Sequence, residues 1–241
     1  MSAPTQPDAA APETPAAVAA KINSAVATTL NAVDADAAQR TQDLGLVHQA
    51  RLAQLTRTAA NATAQYGAGS PQATAAADAV TTAQGTVARV AVVSQRVSTP
   101  APEVAATGWA LHGRVYNAQL QPAAAYCVFL VDAQNAYQGT YGFAYTDTTG
   151  YFLLNFAGTP AQTPPGKGSA ATATPPPAPP QLFIEVANAS GQPVYLDGTA
   201  FQPTLGAATY RTITLPAGEK PIGNPPRAIR RTALPPAEKG S

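Results

Sequence analysis

From Pro15 to Tyr66 the apolar positions recur every three or four residues. Val18, Ile22, Val26, Leu30 and Val33 form one such stripe. His48, Leu52, Leu55, Ala59, Ala62 and Tyr66 continue it on a slightly rotated line. This spacing predicts a long amphipathic helix over 15–66. Gly45 lies near the change of line and marks a candidate bend. Thr14-Pro15 is a start signal, because Thr can cap and Pro suits the first turn. Gly67 is a candidate C-cap. Ser70-Pro71 repeats the start signal, and Ala73, Ala76, Val80, Ala83, Val87, Val90, Ser94 and Val97 follow in an unbroken series. The short connection YGAGSP predicts an antiparallel hairpin of helices 15–66 and 71–98. Its Ala- and Val-rich seam permits close approach of the axes but buries little area per residue.

The two helices differ in length, roughly 75 Å against 40 Å at about 1.5 Å per residue. The second therefore reaches back only to about residue 40. The stripe of Val18, Ile22, Val26, Leu30 and Val33 then lacks an intrachain partner. It is expected to self-associate or to dock on a larger assembly, in the manner of a coiled coil. The rival arrangement is a break at Gly45 that folds the segment back into a three-helix bundle.

Beyond the linker 99–106 the period changes from 3.6 to 2. Seven short strands are predicted at 109–116, 125–132, 140–146, 151–156, 181–188, 193–197 and 208–215. No helix intervenes, which points to an antiparallel β-sandwich over 107–216. The expected fold class is α+β with separate helical and sandwich domains. The run AGTPAQTPPGKGSAATATPPPAPP, 157–180, is a low-complexity Pro-rich insert. Residues 1–14 and the Pro-rich tail 217–241 are expected to be disordered.

Two of the strands are apolar on both faces. Val128 and Leu130 should face the core, which turns Cys127, Phe129 and Val131 the other way. Tyr141, Phe143 and Tyr145 alternate similarly. A solvated sheet face should be polar, so the face carrying Phe129, Val131, Tyr141, Phe143 and Leu153 is expected to be covered, by the chain itself or by a protein partner.

Composition narrows the function classes. Charged residues are 11% of the 241 and the formal net charge is +1, so no strong field steers the chain to nucleic acid or an anionic membrane. No stretch approaches the apolar length of a membrane helix. The opening MSAPTQPDAAAPETP lacks a basic start and an apolar run, which makes a cytoplasmic protein the expectation and signal-less export the other route. The Ala, Thr and Pro bias suggests a bacterial source. One cysteine excludes an intramolecular disulfide.

Candidate chemistry is sparse. TDTTG at 146–150 is close to the Asp-Thr-Gly of an aspartic protease, but it holds an inserted Thr and has no second copy. Asp147 can start a turn and Gly150 can close it with positive φ. PPGKGSA fails as a phosphate loop, because Ala161 stands where Gly is required and Gly168 where Ser or Thr is required. His48 and His112 fall in different domains, and with Cys127 they supply no metal set. Cys127 has no basic neighbour in sequence and reads as a packed thiol. Asp132, Asp147 and Asp197 lack the density of a calcium loop. The sequons at Asn61 and Asn188 read as chance matches. The expectation is a chain with no cofactor and no enzymatic activity.

LHGRVYNAQLQPAAAYCVFLVD followed by AYTDTTGYFLLNF resembles the carboxypeptidase regulatory-like family over about 105–215. Gly113, Val115, Asn117, Pro122, Val128, Leu130, Thr146, Asp147, Gly150, Phe152 and Leu154 stand at the family's pattern positions. The resemblance implies a transthyretin-like sandwich acting as a module for folding, adhesion or assembly. The functional expectation is a structural or adaptor protein, with the sandwich as interaction module and the helices for assembly. The alternative is a module that binds carbohydrate or an apolar ligand on the aromatic sheet face.

Overall fold

A computed structural model describes residues 14–158 and 181–222. The disorder expected for 1–13 and 223–241, and residues 159–180 of the Pro-rich insert, lie outside the described residues.

Helix α1 spans Pro15–Tyr66 and α2 spans Pro71–Val97. The Thr14 hydroxyl accepts the Ala17 N–H at 3.3 Å and the Ser70 hydroxyl accepts the Ala73 N–H at 3.2 Å. Each helix then places proline in its first turn, where a missing N–H costs nothing. Gly67 ends α1 with φ 85° and donates to the Thr63 carbonyl at 3.0 Å. The helix runs unbroken through Gly45, so the three-helix alternative does not form. A glycine lowers helix propensity without breaking the hydrogen-bond ladder, and Gly45 faces Val90 of α2. The half-buried line Thr41, Gly45, His48, Leu52, Leu55 and Ala59 meets Val80, Ala83, Val87 and Val90 across the seam.

Seven strands follow: β1 Trp109–Tyr116, β2 Cys127–Val131, β3 Phe143–Tyr145, β4 Tyr151–Phe156, β5 Phe183–Ala187, β6 Pro193–Leu196 and β7 Ala208–Thr214. They form a three-stranded sheet, order β4-β1-β7, and a four-stranded sheet, order β3-β2-β5-β6. Strand β1 pairs antiparallel with β4, with Leu111 beside Leu154. It pairs parallel with β7, with Val115 beside Ile213. This corrects the all-antiparallel expectation. Alternation in a sequence reports which face a side chain takes, not the direction of the neighbouring strand. The parallel pair is tight: a Cβ on Gly113 would lie 1.8 Å from the Arg211 carbonyl oxygen. Strand β3 begins later than expected because Gly139–Tyr141 forms a 3-10 turn, closed by Gly142 at φ 68°.

One buried cluster draws on both sheets, including Leu111, Val115, Val128, Leu130, Phe152 and Ile184. At its end Trp109 packs against Tyr141, Phe156 and Phe201, with ring centroids 5.3, 5.7 and 5.4 Å away. The start of the tail is pinned rather than free: Ile222 donates its N–H to the Pro193 carbonyl at 2.8 Å, and Glu219 accepts from the Tyr126 hydroxyl.

The TDTTG segment is a turn. Asp147 Oδ1 accepts the Thr149 N–H at 2.8 Å, the Tyr151 N–H at 2.9 Å and the Thr149 hydroxyl at 2.7 Å. Burial alone would raise the Asp147 pKa; these bonds, led by the Thr149 hydroxyl, hold it below the usual value. Gly150 has φ 73°, and a Cβ there would lie 2.4 Å from the Val115 carbonyl oxygen. Gly150→Val should therefore destabilise the fold by about 2 kcal/mol or more. Gly142→Ala, at similar φ but in open space, should cost less. Thermal melting of the two variants checks the ranking, and equal melting temperatures would refute it.

Candidate interaction surface

The N-terminal part of α1 extends past α2. Every residue from 15 to 36 is exposed, and half-burial begins at Ala37. This arm is about 33 Å long at 1.5 Å per residue. Ile22 is 58% and Leu30 59% exposed, and Val18, Val26 and Val33 are exposed with them. Polar groups on the arm are mostly short. The Thr28 and Thr29 hydroxyls donate back to the Ser24 and Ala25 carbonyls, both at 2.9 Å. At its root Asp36 pairs with Arg40 at 2.8 Å, an exposed contact that contributes little stability.

Beside that root α2 meets the outer face of the β4-β1-β7 sheet. The Tyr116 hydroxyl donates to Gln95 Oε1 at 2.6 Å. The Arg96 guanidinium lies 5.6 Å over the Tyr210 ring. Arg114 lies 5.7 Å over the Tyr151 ring and donates to the Thr149 carbonyl at 2.8 Å. Burial, with the Tyr210 phenol adding to it, pushes the Tyr116 pKa up to about 12. His112, 3% exposed, sits edge-on between Tyr210 and Tyr151, at 5.2 and 6.1 Å. Its Nδ1 has no hydrogen-bond partner, and burial lowers its pKa. Gln95 also lines a groove of 440 Å³ between the helices, with Gly45, Leu46, Val87, Val90 and Ser94.

The outer face of the other sheet is covered from within the chain. Phe129 and Val131 are 0% exposed. The Tyr137 ring stands 5.7 Å from Phe129 at 80°, with Phe143 and Phe183 packed beside it. Residues 132–138 fold back to bring Tyr137 there. Asp132 Oδ1 accepts the N–H groups of Gln134 and Ala136, both at 2.9 Å, and the Gln138 N–H bonds the Leu130 carbonyl at 2.9 Å. Phe129 and Val131 are therefore corrected from interface candidates to core. Tyr141 leaves that face altogether, because the 3-10 turn swings its ring onto Trp109 and Phe156, each at 5.3 Å. Phe143 remains half-buried, at 5.7 Å from Tyr145. Leu153 belongs to β4, on the other sheet.

The remaining candidates are dispersed. Cys127 is fully buried beneath this face, and burial pushes its thiol up to about 12. His48 is half-buried in the helix seam. Asp197 caps a turn by accepting the Thr199 N–H at 2.9 Å. Among the described residues no group of three or more His, Cys, Asp or Glu side chains could hold a metal ion, and no helix is long and apolar enough to cross a membrane. One group was missed from the sequence. Glu185 of β5 is 7% exposed, opposite Phe129, and burial pushes its carboxyl up to about 7. The signal was available: FIEVA places an acid on the same alternation as Phe183 and Ala187.

No family model matches the chain, and no curated protein does. Among the solved structures similar to part of the chain are three dioxygenases. The 3-chlorocatechol 1,2-dioxygenase from Rhodococcus opacus 1CP shares 17% identity at a TM-score of 0.24, over 48% of this chain and 66% of that one. The catechol 1,2-dioxygenase from Pseudomonas arvilla C-1 shares 12% at 0.25, over 49% and 54%. The hydroxyquinol 1,2-dioxygenase from Pseudomonas putida DLL-E4 shares 14% at 0.26, over 56% and 74%. The matched region thus spans less than two thirds of the first two chains. All three are enzymes, which corrects the expectation that this chain has no enzymatic activity; that expectation is withdrawn. Likeness at these scores carries no particular activity over to it.

Two of the buried titratable groups, His112 and Glu185, should act on stability with opposite signs. His112 has a folded pKa below 6.5. Below pH 6.5 the unfolded chain takes up a proton that the folded chain refuses, so stability falls on acidification. Glu185 has a folded pKa of about 7 against 4.5. Between those values the folded chain holds the extra proton, so stability falls as pH rises. Glu185→Gln should stabilise at pH 8 by on the order of 2 kcal/mol, and His112→Phe should flatten the loss below pH 6.5. Denaturant titrations at several pH values check both, and parallel pH profiles for variants and wild type would refute them.

Proposed function

We propose that this chain is an assembly or adaptor component that docks through the exposed arm of α1. The observation that carries this reading is the continuous apolar stripe over residues 15–36, standing beyond the reach of α2. Five exposed Val, Ile and Leu side chains on one helix face are an arrangement that water disfavours and a partner surface rewards. An isolated helix gains little from propensity alone, so a regular stripe at this spacing makes physical sense as a contact surface. The two sheets, sharing one core, are read as a transthyretin-like sandwich. The likeness of Gly113, Val115, Asp147, Gly150 and Phe152 to the carboxypeptidase regulatory-like pattern supports that reading, and with it the use of the β portion as an interaction module. A carbohydrate platform on the aromatic sheet face is disfavoured, because its central ring, Phe129, is covered by Tyr137.

The test is a photo-crosslinking residue placed at Ile22 on the arm, with Arg57 on exposed helix surface as control. The expected result is protein adducts from position 22 at least tenfold above those from 57. Absence of any protein adduct at 22 would refute the docking reading.

A further inference from the structure

We infer that the surface seated on the arm is a second copy of the same arm, laid antiparallel with Val26 at the two-fold centre. This deepens the docking reading above and rests on it.

The spacing of the stripe carries the inference. Val18, Ile22, Val26, Leu30 and Val33 step by four, four, four and three. The series is nearly palindromic about Val26. A copy turned end for end sets Ile22 against Leu30, Val18 against Val33, and Val26 against itself. Every layer is then apolar on both sides, as a self-complementary interface requires. Ile22 and Leu30 then meet in two symmetry-related layers, with the smaller Val26 pair between them.

Charge selects the antiparallel direction. The arm carries Lys21 near its start and Asp34 and Asp36 near its end. A parallel copy would stack aspartates on aspartates. The antiparallel copy separates the aspartates of the two arms and opposes the two helix dipoles.

One polar residue on the contact side suits burial. Thr29 lies between Val26 and Leu30, and its hydroxyl already bonds the Ala25 carbonyl at 2.9 Å, so covering it orphans no donor. Ala25 and the neighbouring alanines permit close approach of the axes. The stripe also drifts without interruption into the half-buried line that α2 covers from Ala37 onward. The second arm would therefore continue along α1 the layer that α2 begins. Two helices about 33 Å long make an interface at the small end of the specific range, so the dimer should dissociate on dilution.

Sedimentation equilibrium of the full chain over roughly 1–100 µM should show a monomer–dimer equilibrium. Val26→Glu and Val26→Lys, both on exposed helix, should each weaken it at least tenfold with unchanged circular dichroism. Mixing the two variants should restore it, because the opposite charges then meet at the centre. Ile22→Cys chains should form disulfides with Leu30→Cys chains and not with themselves; the native Cys127 is fully buried. A chain that stays monomeric over this range, charge variants that associate like wild type, or Ile22→Cys chains that crosslink to themselves would overturn the antiparallel pair. Adducts from position 22 to a different protein, with the chain itself monomeric, would overturn this inference and leave the docking reading standing. Absence of adducts at position 22 removes both.

Discussion

The structure depends on a mismatch of length between two helices. Helix α2 stops at Val97 after covering α1 only back to Ala37. Residues 15–36 carry an apolar face that stays exposed among the described residues. The seam that does form is built of Ala, Val and a few Leu, with no buried residue in α1 and Ala73 in α2. Such a seam gains little from area burial. The hairpin is also fixed at its open end, where Gln95 accepts from Tyr116 and Arg96 stacks on Tyr210. Gln95 also lines the groove that contains Gly45, so the β portion is fastened close to the root of the arm. The anchor on α2 and the exposed stripe on α1 thus lie next to each other at the open end of the hairpin.

The two sheets face a complementary problem. Each needs cover on its outer face as well as on its inner one, and β2 is buried at all five positions. The β4-β1-β7 sheet is covered by the end of α2, through aromatic and guanidinium groups. The β3-β2-β5-β6 sheet is covered by its own loop carrying Tyr137. In both places a titratable group is trapped, His112 under one cover and Glu185 under the other. Neither has its charged form stabilised there, and burial moves each pKa toward the neutral species. These groups register the cost of covering a sheet face with few charged residues available to pair.

The helices were legible in the sequence almost to the residue, because two Thr/Ser-Pro starts and a 3–4 apolar series act locally and no tertiary contact competes with them. The strands were legible as faces. Val128 and Leu130 went to the shared core and Cys127, Phe129 and Val131 to the other side, as the pleat demands. What alternation could not convey was direction and cover. The parallel β1–β7 pair comes from chain routing, visible locally only in Gly113, where any Cβ would strike the Arg211 carbonyl. Tyr141 was misassigned because Gly142, at φ 68°, breaks the period that seemed to carry it. Tyr137 as cover for Phe129 depends on a loop closed by Asp132, a turn residue whose consequence lies one strand away. Glu185 was passed over because a lone acid in a strand reads as solvent-facing unless the face is already known to be closed.

Low charge links the arm to the rest of the chain. At 11% charged residues, the helices cannot lean on rows of i,i+4 ion pairs, and Ala supplies their propensity instead. An alanine-rich helix with a clean apolar stripe gains from having that stripe covered, and charge does little to keep copies apart. Three charged residues on the arm are too few to repel a second arm, and the two aspartates late in it disfavour a parallel approach. The same scarcity of charge that leaves His112 and Glu185 without ionic partners among the described residues leaves little on the arm to oppose the pairing proposed above.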